Sequence, residues 1–408
     1  MIGIGLKLPL PATPKSPLFQ EKTKNSVFLS KTVPLSPQWH DFCSSIIIMK
    51  QLLSIILAAV LVAPAAMAQE NLQKGAAQGG EQKTFTVIKE LPITSVKNQY
   101  RSGTCWDYGT LGFFESEILR KTGKVYDLCE MFVANRDYMD CAEHYVRMHG
   151  FSQFTQGGSC DDVLDVIRRY GICPEEAMPA PGSLVGDVLA NFTEFIPELE
   201  KMVDKIAMKD AKAPMEHWQD SVLGIIEKYI GRIPETFDYE GVTYTPQSFA
   251  ESLGLNLNDY MSLTSYTHHP FGEWFVIEAL YKWRLKPSYN IPIEQLMDVL
   301  DNALDAGYTV AWGGDVTGDF TRTGLAMLPD SVTPTQELRQ EQWDDWRFTY
   351  DHVMLIYGKA VDEQGKPYYM AKNSWGPMGD YKGIWYMSRD YMMMNTTYLF
   401  LNRTAVSF

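Results

Sequence analysis

The chain is 408 residues long, more than one simple core accommodates, and calls for two lobes or domains. Apolar residues make up 45% and aromatic residues 12%, which excludes a disordered chain. A formal net charge of −14, with no Lys/Arg cluster, excludes nucleic acid as the main partner, because phosphate binding needs a basic surface.

Met49-Lys50-Gln51 opens onto the apolar run 52–63 and then Pro64-Ala65-Ala66-Met67-Ala68. A basic start, a short apolar core and an Ala-x-Ala site form the pattern of a secretory signal peptide. The run falls short of the roughly 18–20 residues that cross a bilayer, so no stable membrane anchor is expected. Residues 1–48 then read as a mis-called N-terminal extension, 49–68 as the leader, and the mature product as exported, periplasmic or extracellular, after cleavage near Ala68. Five cysteines follow: Cys105, Cys129, Cys141, Cys160 and Cys173. Cys129–Cys141 and Cys160–Cys173 each bracket a predicted helix, which sets the members of each pair roughly 18–20 Å apart. A bridge needs Cα atoms within about 7 Å, so neither pair closes internally. Cross-pairing and four buried free thiols both stay open.

Residues 69–83, rich in Gly, Gln, Glu and Lys, read as a flexible mature N-terminus. Alternation over 84–93 predicts an extended segment. From Trp106 the apolar positions Leu111, Phe113, Phe114 and Ile118 wrap widely round a helix, which should therefore be buried and which Gly123 stops. Further helices are predicted over 128–148, 161–170, 198–228 and 292–305. Short β-like runs follow at 309–312, 352–357, 368–372, 383–387 and 398–401. These elements predict an α+β protein: a helical lobe over 84–180, a mainly helical insertion without chemistry of its own over 181–308, and a β-rich lobe over 309–408, with a cleft between the lobes.

Cys105 stands where a glycine-containing loop turns into a helix, facing unpaired backbone N–H groups and the positive end of a helix dipole. Gln99, six residues upstream, can reach back to the same spot. A nucleophilic thiol needs a base, and the base needs an orienter. His352 sits in Tyr350-Asp351-His352-Val353-Met354, polar and then abruptly strand-like, at the mouth of a sheet. Asn373 in Lys372-Asn373-Ser374-Trp375-Gly376 offers an oxygen that fixes an imidazole tautomer, beside a Trp that shields the bond. His144 and His149 beside Cys141 lack a second ligand pair, and His268-His269 precede a proline in a polar loop; no metal site and no cofactor motif is read.

Gln99-x5-Cys105-Trp106, Asp351-His352 and Asn373-Ser374-Trp375-Gly376, in this order and with Gln156-Gly157-Gly158 between them, resemble the papain-like cysteine peptidases. The resemblance covers most of 93–180 and 309–406. His352 and Asn373 lie 247 and 268 residues after Cys105, against the usual 130–150. That insertion resembles the bleomycin hydrolase/aminopeptidase C branch, as do the stretches 245–249, 260–264 and 310–316. The resemblance implies a papain-like two-lobed fold with a large helical insertion, and acyl transfer on peptide substrates. In it the Cys105 thiolate attacks, paired as an ion with His352; Gln99 and the Cys105 N–H hold the oxyanion; Asn373 orients His352, and Trp375 covers both. Gly157-Gly158 would offer backbone to an extended substrate. Two departures stand out. Asp107 puts a carboxylate just after Cys105-Trp106, where it would repel acidic substrates or face solvent. The chain ends at Phe408, just past the last strand, where aminopeptidases of this branch carry a C-terminal arm that binds the substrate's amino group. An aminopeptidase is the first expectation, and an open-cleft endopeptidase or oligopeptidase the second. A catalytically silent peptide-binding protein is the third. A homo-oligomer stays open.

Overall fold

A Cβ-free stripe on one helix sets the geometry of the molecule. Helix α1 (Cys105–Thr122) is buried from Cys105 to Ile118, as its wrap of apolar residues predicts. Gly123 closes it at φ 72°, with its N–H on the Leu119 carbonyl. A Cβ on Gly109 would stand 2.7 Å from Val353 Cγ1 and 3.0 Å from the Val353 carbonyl oxygen; one on Gly112 would stand 3.1 Å from Lys372 Nζ. Glycine at these two positions lets α1 press directly on the strands that carry His352 and Asn373.

This computed structural model describes residues 82–178, 189–207 and 216–406. The expected extension, the leader and all but the last two residues of the flexible start lie outside the described residues. Around α1 stand α2 (Glu130–Arg147), α3 (Cys160–Tyr170), α4 (Phe195–Ala207) and α5 (Trp218–Ile230). α3 opens on a capping box, in which Asp162 Oδ2 accepts the Ser159 backbone N–H at 2.6 Å. Among the described residues no helix is long and apolar enough to cross a membrane.

The remaining elements are β1 (Phe85–Glu90), the hairpin β2 (Phe237–Tyr239) and β3 (Val242–Tyr244), α6 (Pro246–Ser252), β4 (Tyr260–Thr264), β5 (Trp274–Phe275), β6 (Ser288–Asn290), α7 (Ile293–Asp305), β7 (Val310–Gly314), β8 (Leu325–Ala326), α8 (Gln336–Asp344), β9 (His352–Asp362), β10 (Pro367–Lys372), β11 (Ile384–Ser388), α9 (Arg389–Asn395) and β12 (Thr396–Asn402). One sheet runs in the order β5-β6-β4-β12-β7-β9-β10-β11-β8, with β1 also on β9. Antiparallel pairing sets His352 opposite Gly314 and Leu355 opposite Lys372. The catalytic candidates on β9 and just past β10 therefore open at the same end of the sheet.

The expected helical insertion carries α4, α5, α6 and α7, with strands among them. From Phe237 the chain forms a hairpin and then β4, β5 and β6, and β4 pairs along its length with β12. The burial of β4 explains the difference: Tyr260, Ser262, Leu263 and Thr264 are all buried, as a strand inside a covered sheet requires. Cys105, Cys129, Cys141, Cys160 and Cys173 are free and buried. Helices separate Cys129 from Cys141 and Cys160 from Cys173, while Cys129 N–H donates to the Cys173 carbonyl at 3.0 Å beside a Leu128–Pro174 bridge, so the cross-pair faces each other as free thiols.

At the far end, Asn402 Nδ2 donates to Glu117 Oε2 at 2.8 Å. Glu117 lies twelve residues along α1 from Cys105, about 18 Å at the helical rise. A short turn, Arg403–Ala405, then packs on α7, and Thr404 Oγ1 bonds the Tyr308 hydroxyl at 3.1 Å. The described end of the chain thus lies at the other end of α1 from the thiol.

Candidate active site

Cys105 is the first residue of α1 and is 9% exposed. Its Sγ lies 3.8 Å from the Asp351 carbonyl oxygen and takes a hydrogen bond from the Val353 N–H, so backbone on either side of His352 holds the thiol. Burial pushes the thiol up to about 12, against the pull of that N–H.

His352 Nε2 donates to Asn373 Oδ1 at 2.9 Å. Asn373 Oδ1 also accepts the Ser374 N–H at 2.7 Å, which fixes the amide's orientation and makes this oxygen an acceptor only. The proton therefore sits on Nε2, and Nδ1 keeps its lone pair. The Trp375 ring lies 4.9 Å from the imidazole and is backed by Trp385 at 5.5 Å and Phe320 at 5.8 Å. Burial pushes His352 down to about 4, and its bond to Asn373 only partly opposes this. Taken one at a time, both shifts favour the neutral forms, whereas the resemblance implies an ion pair.

Gln99 is locked from both ends. Its N–H donates to the Ser374 carbonyl at 2.8 Å, its Oε1 accepts Ser374 Oγ at 2.6 Å, and its Nε2 donates to Ser102 O at 2.7 Å. Among the described residues the second Nε2 hydrogen has no protein partner, which leaves one donor beside the start of α1. Ser374 is the residue that sequence reasoning passes over; it ties Gln99 to Asn373.

Gly157 and Gly158 do not form an open strip of backbone. A Cβ on Gly158 would lie 2.7 Å from the Trp106 ring, and one on Gly157 would lie 2.4 Å from Tyr281. The Gly158 carbonyl accepts the Tyr350 hydroxyl at 2.7 Å, and the Gly157 N–H donates to Thr155 Oγ1 at 3.2 Å. The close approach that glycine permits here is made by this chain's own rings. Tyr281 belongs to the stretch expected to carry no chemistry; the one signal in the sequence is the alternation Lys282, Arg284, Lys286 opposite the acidic start of α3.

Asp107 neither faces the cleft nor meets solvent. It is fully buried on the inner side of α1, and neither carboxyl oxygen has a hydrogen-bond partner. Burial, with Glu130 beside it, pushes its pKa well above the usual carboxylate range. Among the described residues the one cluster with metal-ligand spacing is His268, His269 and Glu278, whose ligand atoms lie within 4.8 Å of one another. Gln340 Nε2 donates to His268 Nδ1 at 2.9 Å, while its Oε1 accepts the Thr267 N–H at 2.7 Å. The His268 proton then faces Glu278, which makes the cluster a hydrogen-bonded clip.

A buried thiol at a helix start, an imidazole whose free nitrogen is set by an Asn, and an α+β fold split between helices and sheet make a candidate site for thiol-dependent acyl transfer. The Peptidase C1-like family model matches residues 54–406, and the chain belongs to that family. Aminopeptidase C of Streptococcus thermophilus is 23% identical over 381 residues, covering 79% of this chain and 83% of that protein. Aminopeptidase E of Lactobacillus helveticus is 24% identical over 355 residues, covering 74% and 79%. The crystal structure of pepw from Lactobacillus rhamnosis HN001 superposes with a TM-score of 0.64 at 21% identity, over 87% of this chain and 92% of that one, and shares the fold.

Proposed function

We propose that this protein is a cysteine aminopeptidase that cleaves peptide bonds through Cys105, His352 and Asn373. The observation that carries the reading is the 2.9 Å His352–Asn373 bond, beside a thiol held on the backbone of Asp351 and Val353. His352 Nδ1 takes the thiol proton as Sγ attacks the scissile carbonyl, so charge develops only when substrate has displaced water from the cleft. The Cys105 N–H and the remaining Gln99 Nε2–H receive the oxyanion, each donor being worth about 3–4 kcal/mol. The imidazolium then protonates the leaving amine, and water, deprotonated by His352, releases the acyl group. Trp375 keeps the His352–Asn373 bond dry throughout.

An epoxide-type thiol probe tests the nucleophile: it should modify Cys105 selectively, and Cys105→Ala should abolish both labelling and turnover. Retained peptidase activity in Cys105→Ala would refute the mechanism. The family and the aminopeptidase relatives support the exopeptidase reading, which predicts that free aminoacyl-coumarins are cleaved far better than N-blocked ones. The leader-like pattern at 49–68 supports export; N-terminal sequencing of the secreted product should start near Gln69.

A further inference from the structure

The segment that covers Gly157 is bolted to the helical side by charge. It runs in successive turns, with the Lys282 N–H on the Ala279 carbonyl at 3.1 Å and the Leu285 N–H on the Lys282 carbonyl at 2.9 Å. Lys282 is buried and sets its Nζ 2.8 Å from Asp161. Arg284 reaches Asp137 at 2.7 Å, Asp140 at 3.0 Å and Asp162 at 3.0 Å. Lys286 meets Asp165 at 2.8 Å. Three cations at alternate positions are thus matched to acids on α2 and α3. The residue placed by this clamp is Tyr281, whose ring lies on the face of Gly157 and 6.0 Å from the ring of Tyr350.

The position of that ring matters because of what adjoins it. Trp106 Nε1 donates to the Gln156 carbonyl at 3.0 Å, which fixes the 156–158 loop one residue from Cys105. A substrate extended on the acyl side of the scissile bond would run its second residue along this loop and would need the Gly157 face and the Gly158 carbonyl. Tyr281 occupies the first, and the Tyr350 hydroxyl, itself 2.9 Å from the Tyr398 hydroxyl, takes one of the two lone pairs of the second. Closer to the sulfur the Asp351 carbonyl accepts only the weak thiol donor and keeps a second lone pair. It lies 3.8 Å from Sγ, where the amino group of a residue bound for attack falls, two bonds from the carbonyl carbon.

We propose that Tyr281, held by the Lys282–Arg284–Lys286 strap, is a stop that closes the acyl side of the cleft one residue from the scissile bond, so that the enzyme removes single residues from free N-termini. The inference rests on the proposed peptidase reading and adds the structural cause of its exopeptidase character. That cause is an internal segment held by charge on α2 and α3.

The test compares kcat/KM on an aminoacyl-coumarin with a free amine and on an N-blocked dipeptidyl-coumarin, in the full chain and in Tyr281→Gly and Tyr281→Phe. Tyr281→Gly should raise the blocked-to-free ratio at least tenfold through a gain on the blocked substrate; Tyr281→Phe, which keeps the ring, should stay near the wild-type ratio. An unchanged ratio in a Tyr281→Gly enzyme that still takes the epoxide probe overturns the stop and leaves the peptidase assignment standing. Wild-type enzyme that cleaves the blocked dipeptide as well as the free substrate also overturns it. Absence of turnover on both substrates in the wild type refutes the proposed function, and the stop with it.

Discussion

The junction at Cys105 and the strap over Gly157 are both buried, yet one has shed charge and the other is built from it. At the junction the thiol is pushed up to about 12 and the imidazole down to about 4, because neither has an opposite charge to compensate its lost water. In the strap, burial also opposes the Arg284 charge, but Asp137 and Asp162 outweigh it and hold the guanidinium above its ordinary pKa, while the same burial raises both acids. Paired charges tolerate burial and isolated ones do not. The junction can therefore move a proton during a reaction, whereas the strap is locked and can only fix a shape. The proposed chemistry and the proposed stop therefore fall in separate parts of the protein.

The largest effect that would test this division is on turnover. Cys105→Ala or His352→Ala should lower kcat by about 10⁴-fold or more with the fold intact, as loss of a nucleophile or its base does. Unchanged far-UV circular dichroism together with the rate loss would place both residues in the chemistry. Next comes the strap. Arg284→Ala leaves Asp137 and Asp162 buried without a cation and should cost about 3–5 kcal/mol of stability, read from urea unfolding. A loss below about 1 kcal/mol would show that the strap carries no fixed charge pairing.

These regions also differ in how far the sequence exposes them. Cys105, Gln99, His352 and Asn373 are legible because each sits in a short motif whose neighbours serve the same site. Trp106 anchors the 156–158 loop, and Ser374 ties Gln99 to Asn373. The helices α1, α2 and α3 are legible from periodicity and from stops such as Gly123. Tyr281 is not, since its contact with Gly157 joins residues more than a hundred positions apart, and no local pattern marks a ring as a stop. β4 lies inside a stretch that reads as helical because its partner, β12, comes at the end of the chain. Asp107 reads as a cleft or solvent residue because proximity to Cys105 in sequence does not say which side of the helix is inward; on a helix, neighbours two positions apart face different ways.

A third test is the pH response of the junction. His352 titrates at about 4 in the folded protein against about 6.5 in an unfolded chain. Between those values the unfolded state binds the extra proton. The His352 contribution is thus complete above pH 6.5 and is lost as pH falls towards 4, with a ceiling of about 3 kcal/mol. Asp107 and Glu130, whose pKa values are raised by burial, act in the opposite sense. The comparison is therefore between wild type and His352→Gln, by urea midpoint at pH 4.5 and 7: the wild type should lose more stability on acidification. In the same window the acid limb of kcat/KM should fall below pH 5. The free enzyme should show no thiolate absorbance near neutral pH that Cys105→Ala removes; a thiolate signal would mean that the resting pair is ionic.

The smallest effect concerns the contact that brings the junction together. Gly109→Ala places a methyl group 2.7 Å from Val353 Cγ1 and 3.0 Å from the Val353 carbonyl oxygen. The side chain can turn but the strand backbone cannot, so α1 must lift from β9. Overpacking of this kind costs about 1–3 kcal/mol, offset by less than about 1 kcal/mol of helix propensity gained over glycine. Because Val353 adjoins His352 and its N–H bonds the Cys105 thiol, the same shift lengthens the nucleophile–base distance. Gly109→Ala should therefore lower kcat more than its stability loss alone suggests, with KM little changed. Gly112→Ala is the control: its methyl group meets the Lys372 ammonium end at 3.1 Å, which can give way, so both stability and kcat should move less. If the two variants lose the same activity, helix-to-strand contact at Val353 does not set the Cys105–His352 geometry.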